Sequence, residues 1–147
     1  MKASKVVLAT DFSEHSDTAL RLATSLARDT GAMLLITHVM PPPLHAADRG
    51  FTGYAEGEDE AARQKQLDEV RPTDSEVGFA HHLLHGQPAE EVVRFAEEEN
   101  ADMIVIGSHG RRGVTRLLLG SVAEHIVRHA ACPVMTVKHS DRTPEED

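Results

Sequence analysis

Short apolar runs alternate with helical segments along the whole chain, and this order restricts the fold more than any other feature of the sequence. Runs too brief for buried helices predict strands at residues 5–10, 33–39, 76–84, 102–106 and 133–138. The segments between them predict four helices, of which the second, 58–70, is mostly polar. We therefore expect one α/β domain, Rossmann-like and doubly wound, with five mainly parallel strands in the order 3-2-1-4-5.

Local signals mark the ends of several elements. Ser13 is suited to cap the first helix and Gly31 to end it, while Pro88 suits the first turn of the third helix. The third strand contains glycine and histidine, a composition that favours the edge of a sheet. Residues 40–57 contain three prolines and three glycines, which predicts a long surface loop.

Composition excludes several classes of protein. The length of 147 residues fits one domain, 1–139, followed by a polar tail, 140–147. The formal net charge of the chain is −9. The acidic balance argues against a nucleic-acid-binding protein, because binding the phosphate backbone needs a basic surface. No apolar run approaches the roughly 20 residues of a membrane helix. Since Cys132 is the only cysteine and the N-terminus lacks a signal-peptide pattern, we expect a cytoplasmic protein without an internal disulfide.

Doubly wound sheets bind ligands beyond the carboxyl ends of their strands, where the strand order reverses. In this chain those ends are residues 10–11, 39–40 and 107–108. We expect the functional site at these three positions.

The fourth strand leads into a glycine-containing loop that predicts a phosphate site. Residues 107–110 read GSHG, and after nine more residues Gly120-Ser121 opens the last helix. Glycines let a phosphate approach backbone N–H groups, and a helix N-terminus offers unpaired donors. Arg111 and Arg112 add positive charge nearby. A tight strand-to-helix connection is the alternative interpretation, and neither GxxxxGK[ST] nor GxGxxG after the first strand is present.

The spacing Gly-x2-Gly-x9-Gly-Ser at residues 107–121 resembles the nucleotide-binding signature of the universal stress proteins, in their ATP-binding branch. The resemblance covers nearly the whole chain, including VVLATDFSEHSDTAL at 6–20, LLITHVM at 34–40 and GQPAEEVVRFAEE at 86–98. It continues through GSHGRRGVTRLLLGSVAEHIVRHAACPVMTVK at 107–138. The nine-residue spacer and the closing Gly-Ser are the specific part, because members that do not bind ATP typically lack them.

This resemblance implies an ATP pocket in which Asp11 bonds the ribose and the backbone of Val39 contacts the adenine edge. Magnesium or manganese would be carried by the phosphates rather than by a protein cage. Ala9 stands where many relatives have proline, a change that softens the adenine wall without abolishing binding. The cofactor-binding residues expected on this basis, with His109 and Arg111 from the loop, are Thr10, Asp11, Val39, Gly107, His109, Gly110, Arg111, Gly120, Ser121 and Val122.

The resemblance also implies a homodimer. The closing strand, Val134–Val137, carries no charge at its edge and therefore needs a partner or a cover. Pairing of two subunits through this strand would supply it.

Other residues have simpler alternatives. Asp11 also suits an Asx-type turn after a strand. His81 and His82 are adjacent on a strand and point to opposite faces, and we interpret His125 and His129 as part of a solvated helix face rather than as metal ligands. His109 contacts a phosphate or has no functional task. We expect Cys132 to be buried.

Three functions remain open at this point. The leading hypothesis is an ATP-binding regulator of the stress response, acting on an unknown protein partner and lacking efficient catalysis. The alternative is an adenine-nucleotide-using enzyme of a related fold, adenylating a second substrate or slowly hydrolysing ATP. A nucleotide-free interaction module is a third interpretation, against which the intact Gly120-Ser121 counts.

Overall fold

A computed structural model describes residues 2–42, 56–109 and 119–139 of the chain. Strands and helices alternate as the apolar pattern predicts. In chain order the elements are β1 (Lys5–Ala9), α1 (Glu14–Thr30), β2 (Met33–Met40), α2 (Glu56–Glu69), β3 (Phe79–His85), α3 (Pro88–Glu98), β4 (Met103–Gly107), α4 (Ser121–His129) and β5 (Val134–Val137).

The five strands form one parallel sheet in the order β3-β2-β1-β4-β5, which confirms the predicted topology and the edge position of the third strand. From β1 the chain moves outward through β2 to β3, then returns to place β4 on the other side of β1. Ala9 is in register with Thr37 of β2 and Ile106 of β4. The order therefore reverses between β1 and β4, where this class of fold binds its ligands.

Helices cover both faces of the sheet and divide the core in two. On one face the alanines of α1, together with Leu67 of α2, pack against β1 and β2. On the other face Val92 and Phe95 of α3 pack with Ile126 of α4. Small residues let α1 lie close to the strands, since Ala19 and Ala23 are fully buried. The sheet is thus covered on both sides, as continuous apolar strands require.

The predicted ends of α1 are confirmed. Ser13 accepts a hydrogen bond from the backbone N–H of Ser16 at 3.4 Å. Gly31 ends the helix in the left-handed region, with φ of +77°, and its backbone N–H donates to the Ala27 carbonyl. A side chain at that φ is strained, so glycine is the residue that this turn requires.

Most predicted boundaries differ from the observed ones by one to three residues; the second helix, for example, begins at Glu56 rather than at residue 58, and two of the differences have a clear local cause. The third strand begins at Phe79 rather than at residue 76, because Asp74 closes a turn by accepting the backbone N–H of Glu76 at 2.9 Å. Met40 ends β2 rather than starting a loop, because its carbonyl accepts the N–H of Gly86 at 2.9 Å. Most of the predicted loop, 43–55, and the tail, 140–147, lie outside the described residues, so those predictions stay as they are.

Candidate functional site

The register of the sheet brings three predicted strand ends to one edge. Thr10 follows β1 and donates its backbone N–H to the Thr37 carbonyl of β2 at 2.9 Å. His38 Nδ1 lies 2.8 Å from the Thr10 carbonyl oxygen. Because a carbonyl only accepts, Nδ1 carries the proton and locks the two strand ends together. Val39 follows directly, so Thr10, Asp11 and Val39 share the edge at which Gly107 ends β4.

Asp11 organises the connection from β1 to α1. Its Oδ1 accepts the Ser13 backbone N–H at 3.0 Å and the Ser16 hydroxyl at 2.7 Å. Its own backbone N–H donates to Ser16 Oγ at 3.0 Å. This is the Asx-type turn that the sequence offered as the simpler role of Asp11.

Phe12 is held in an unusual backbone conformation within this connection. Its φ is +67°, in the left-handed region that a bulky side chain rarely adopts. The ring centroid of Phe12 lies 4.3 Å from that of His38. Its backbone N–H donates to Thr10 Oγ1 at 3.0 Å. Strain of this kind is retained where neighbouring contacts enforce it, and it concentrates at ligand sites.

Gly107 allows β4 to approach the first turn of α1 closely. A Cβ added at this position would lie 3.0 Å from His15 Cβ and 3.1 Å from the His15 carbonyl oxygen. A side chain here would require the first turn of α1 to shift by a few tenths of an ångström, so glycine suits this close approach. That role is the alternative that the sequence allowed for the glycines of the loop, and it does not depend on any ligand.

The start of α4 is tied to the end of β4. Gly120 donates its backbone N–H to the Ser108 carbonyl at 2.7 Å, and Ser108 donates to the Val137 carbonyl at 2.8 Å. Gly120 and Ser121 thus lie beside the end of β4, as the predicted site requires. Gly120 is the N-cap of α4 and has no side chain with which to cap it. The first N–H groups of any α-helix have no partner within the helix, and at α4 no N-cap side chain supplies one.

A cleft of about 240 Å³ opens between the N-termini of α3 and α4. The N-cap of α3, Gln87, makes no side-chain capping bond either. Two helix N-termini, whose positive dipole ends favour an anionic ligand, therefore border one cleft, although the carboxylate of Glu90 in its lining opposes that preference. The lining residues are Gln87, Pro88, Ala89, Glu90, Ser121, Val122 and His125.

The structure extends the site with histidines that sequence reasoning did not group. His109, a predicted site residue, lies with Nδ1 3.2 Å from Ser108 Oγ. Its ring neighbours that of His15 from α1, which in turn neighbours His139 after β5. These three positions are far apart in the sequence, so no local spacing indicates that they meet. The remaining loop residues of the prediction, Gly110 and Arg111, lie outside the described residues, as does Arg112.

The structure also places the other histidines that the sequence singled out. His81 Nε2 donates to the Val70 carbonyl at 2.7 Å, beyond α2, whereas the ring of His82 packs on Phe95 of α3. The two side chains therefore point to opposite faces, as predicted. The rings of His125 and His129 stack with centroids 4.2 Å apart. Within the described ranges, no group of three or more His, Cys, Asp or Glu side chains is arranged to hold a metal ion.

Cys132 departs from its predicted burial. The side chain is only partly buried, at the margin of the core cluster on the α3 and α4 face. This partial burial raises the pKa of the thiol above its ordinary value, because a thiolate is less well solvated there.

A comparison with known protein families agrees with this arrangement. The family model of the universal stress proteins matches residues 2–138. The chain belongs to the universal stress protein family. Universal stress protein MJ0531 of Methanocaldococcus jannaschii is 37% identical over 144 residues, covering 91% of this chain and 81% of that protein. A universal stress protein of Thermus aquaticus is 34% identical over 141 residues, covering 90% and 97%.

Solved structures of family members share the fold. MJ0577 superposes with a TM-score of 0.73 at 25% identity, covering 97% of this chain and all of that one. A universal stress protein from Archaeoglobus fulgidus in complex with dAMP gives a TM-score of 0.66 at 29% identity, covering 94% and 100%. Another solved structure, of a universal stress protein in complex with cAMP, gives a TM-score of 0.63 at 26% identity, covering 95% of this chain and 100% of that one. Of the helices described for this family member, none is long and apolar enough to cross a membrane.

Proposed function

We propose that this protein is an ATP-binding universal stress protein and acts as a nucleotide-dependent regulator in the stress response. The observation that carries the proposal is the N-terminus of α4, held beside β4 by the 2.7 Å bond from Gly120 N–H to the Ser108 carbonyl. Its uncapped backbone donors border the cleft, and Ser121 adds a hydroxyl there. Phosphate oxygens are acceptors that match such a set of donors.

The nucleotide would lie along the carboxyl edge of the sheet. Asp11 would accept from the ribose hydroxyls, and the backbone of Val39 would contact the adenine edge. Gly107 would let the sugar and phosphates approach the end of β4, with Gly120 at the phosphates. Thr10, His109, Gly110, Arg111, Ser121 and Val122 complete the proposed set. The dAMP and cAMP complexes of family members at 26–29% identity support an adenine nucleotide as the ligand class.

A divalent cation, Mg²⁺ or Mn²⁺, would enter with the phosphates and take most of its ligands from phosphate and water oxygens. This requires no dedicated cluster of protein ligands. It therefore agrees with the chemistry of the described site, which offers backbone N–H groups and imidazoles rather than a carboxylate cage.

We assign the protein to regulation rather than to catalysis. A bound nucleotide shifts a conformational equilibrium by its difference in affinity for the two states, so occupancy is sufficient as a signal to a protein partner. Product analysis separates this from the enzymatic alternatives. Slow release of ADP and phosphate agrees with a regulator, whereas AMP and pyrophosphate released with a second substrate would indicate an adenylating enzyme.

The proposed assembly is a homodimer that pairs through β5. In the described part of the sheet β5 is hydrogen-bonded to β4 alone, so its other edge is available. Val134, Met135 and Thr136 are partly exposed along this strand. Sedimentation equilibrium tests the proposal, and a mass of twice the 16.0 kDa chain is expected for wild type. The substitution Thr136→Lys should lower the measured mass, because it places a charge on the strand through which the subunits pair.

Calorimetric titration with ATP and Mg²⁺ tests the nucleotide proposal, using wild type and Gly120→Val. Gly120 has φ of −62°, which valine also adopts, so the substitution fills the phosphate approach without backbone strain. Gly78→Val is a matched control, because a Cβ at Gly78 meets nothing within 4 Å. Circular dichroism checks that each variant folds.

Saturable binding by wild type and by Gly78→Val, lost in folded Gly120→Val, is the expected result. Equal binding by all three proteins would show that the phosphates of the nucleotide do not lie at the start of α4. No binding by nucleotide-free wild type at millimolar ATP would overturn the proposal and favour an interaction module without a nucleotide.

A further inference from the structure

Three histidines from separate parts of the chain meet beside the end of β4, and we call them the three-histidine cluster: His15, His109 and His139. The ring centroid of His15 lies 5.9 Å from that of His109 and 5.2 Å from that of His139. His15 lies in the first turn of α1, His109 follows β4, and His139 follows β5. The cluster therefore stands at the carboxyl edge of the sheet, where the proposed nucleotide site lies.

Two ring nitrogens in this cluster are buried without a hydrogen-bond partner. They are Nδ1 of His15 and Nε2 of His109, each almost wholly shielded from solvent in the described structure. Most buried polar side-chain atoms in folded proteins have a partner, and leaving one unpaired destabilises the fold. Two such atoms on neighbouring rings indicate a place where a ligand with polar atoms belongs.

The electrostatic surroundings of the cluster are mixed. Glu14 of α1 faces it, with Oε2 3.4 Å from His139 Nε2, and Thr18 Oγ1 lies 2.9 Å from His139 Nδ1. Asp11 lies four residues before His15, with Oδ1 bonded to the start of α1. Asp17 and Lys138 are close in sequence to cluster members, and both are exposed. His15 also lies at the N-terminal, positive end of the α1 dipole. The dipole favours a bound anion there, and when no anion is bound it disfavours a positive charge on the His15 ring.

We propose that the three-histidine cluster is a subsite for a phosphate group, the terminal phosphate of the bound nucleotide, and that it takes up a proton from solvent when that phosphate binds. This inference rests on the proposed function. Phosphate oxygens only accept, so His15 Nδ1 and His109 Nε2 must carry the protons that bond them, and a neutral imidazole supplies one such proton whereas a charged imidazolium supplies two. A nearby dianion stabilises the charged imidazole, and histidine changes charge between about pH 5 and 8.

The subsite leads to three predictions that nucleotide binding without it does not make. ATP affinity should rise by up to about tenfold per pH unit on acidification, for each proton taken up. AMP, which lacks the terminal phosphates, should bind without this proton uptake. Inorganic tripolyphosphate should bind with it, because it carries the phosphates without adenine or ribose.

Calorimetry in two buffers of different ionisation enthalpy measures the protons taken up at pH 7. The ligands are ATP, AMP and tripolyphosphate, and the proteins are wild type, His15→Leu, His15→Gln and the control His129→Leu. Gln retains an amide donor but does not titrate, whereas Leu has neither property. His129 is exposed near the C-terminal end of α4, so its loss removes an imidazole away from the cluster. Protons that the phosphates of the nucleotide itself take up or release on binding contribute equally for all four proteins, so differences between the proteins report on the histidines.

Wild type and His129→Leu should take up about one proton with ATP and with tripolyphosphate. His15→Gln should lose the proton uptake, and His15→Leu should also lose about tenfold to a hundredfold in ATP affinity, the range for one hydrogen bond to a charged group. AMP affinity should be the same in every variant. Loss of the AMP affinity together with that of ATP would contradict the subsite and assign His15 a general structural role.

The two proposals fail in different ways. If ATP binds wild type and both His15 variants with equal affinity and no proton uptake, the phosphate subsite is wrong and the nucleotide site stands. If no nucleotide binds, the proposed function fails, and tripolyphosphate still decides the subsite. Binding of tripolyphosphate that depends on His15 supports the subsite in that case, and the absence of binding overturns it. If both His15 variants fail to fold, His109→Gln and His109→Leu take their place in the same comparison, because Nε2 of His109 is the other unpartnered atom of the cluster.

Discussion

Replacing Gly107 with alanine tests how closely β4 and α1 are packed at the candidate site. The new Cβ would lie 3.0 Å from His15 Cβ, 3.1 Å from the His15 carbonyl oxygen and 3.2 Å from its carbonyl carbon. Carbon atoms in ordinary contact are about 3.5–4.0 Å apart. Two of the three atoms belong to the backbone of α1, so no side-chain rotation relieves the contact. The first turn of the helix must instead move away from the sheet by about half an ångström.

Overpacking of this kind costs about 1–3 kcal/mol of unfolding free energy. For a chain of this size each kcal/mol lowers Tm by about 2–4 °C, so we expect a decrease of about 3–10 °C for Gly107→Ala. The matched control is Gly78→Ala, where a Cβ meets no atom within 4 Å. Alanine there should leave stability unchanged or raise it by up to about 1 kcal/mol, because it restricts the unfolded chain.

Urea unfolding followed by circular dichroism measures both variants against wild type. The reasoning depends on the difference between the two glycines rather than on either value alone. If Gly107→Ala is as stable as wild type and Gly78→Ala, then α1 does not approach β4 as described, and the packing reason for Gly107 is refuted.

Three further predictions concern stability and reactivity. Leu67→Ala should cost about 2–5 kcal/mol in urea unfolding, because this residue is fully buried where α2 meets the core; a loss no larger than that of exposed Lys65→Ala would contradict it. Hydrogen bonds from two backbone N–H groups at and just before the start of β1 lower the pKa of Asp102. A carboxyl with a lowered folded-state pKa contributes stability above its unfolded pKa and loses it as pH falls through the folded value. Wild type should therefore lose more unfolding free energy than Asp102→Asn between about pH 5 and pH 2, and parallel urea midpoints for the two proteins would contradict this. Since burial raises the pKa of Cys132, its alkylation by iodoacetamide at pH 8 should be several-fold slower in the folded protein than in urea, and equal rates would contradict partial burial.

The positions of the candidate-site residues in the fold were predictable where strand ends and glycines mark them. Thr10, Asp11 and Val39 were predicted from where apolar strands stop, and parallel pairing brings such ends to one edge. Gly120 was predicted from its place before an amphipathic helix. The structure gives Asp11 a role in the β1–α1 connection, because Ser16 in the first turn of α1 reaches back to its carboxylate. That contact depends on the path of the β1–α1 connection, which a linear pattern does not contain.

By itself the sequence determined the order and type of the elements, their caps and the family of the fold. These features are local, because periods of two and 3.6 residues and the identities of capping residues act within a few positions of the chain. Tertiary structure alone decided that Gly107 packs closely against His15, and that the ring of His15 neighbours those of His109 and His139. Those contacts join residues between 92 and 124 positions apart in the sequence. They exist only because β1, β4 and β5 are neighbours in the sheet and α1 crosses them on one face.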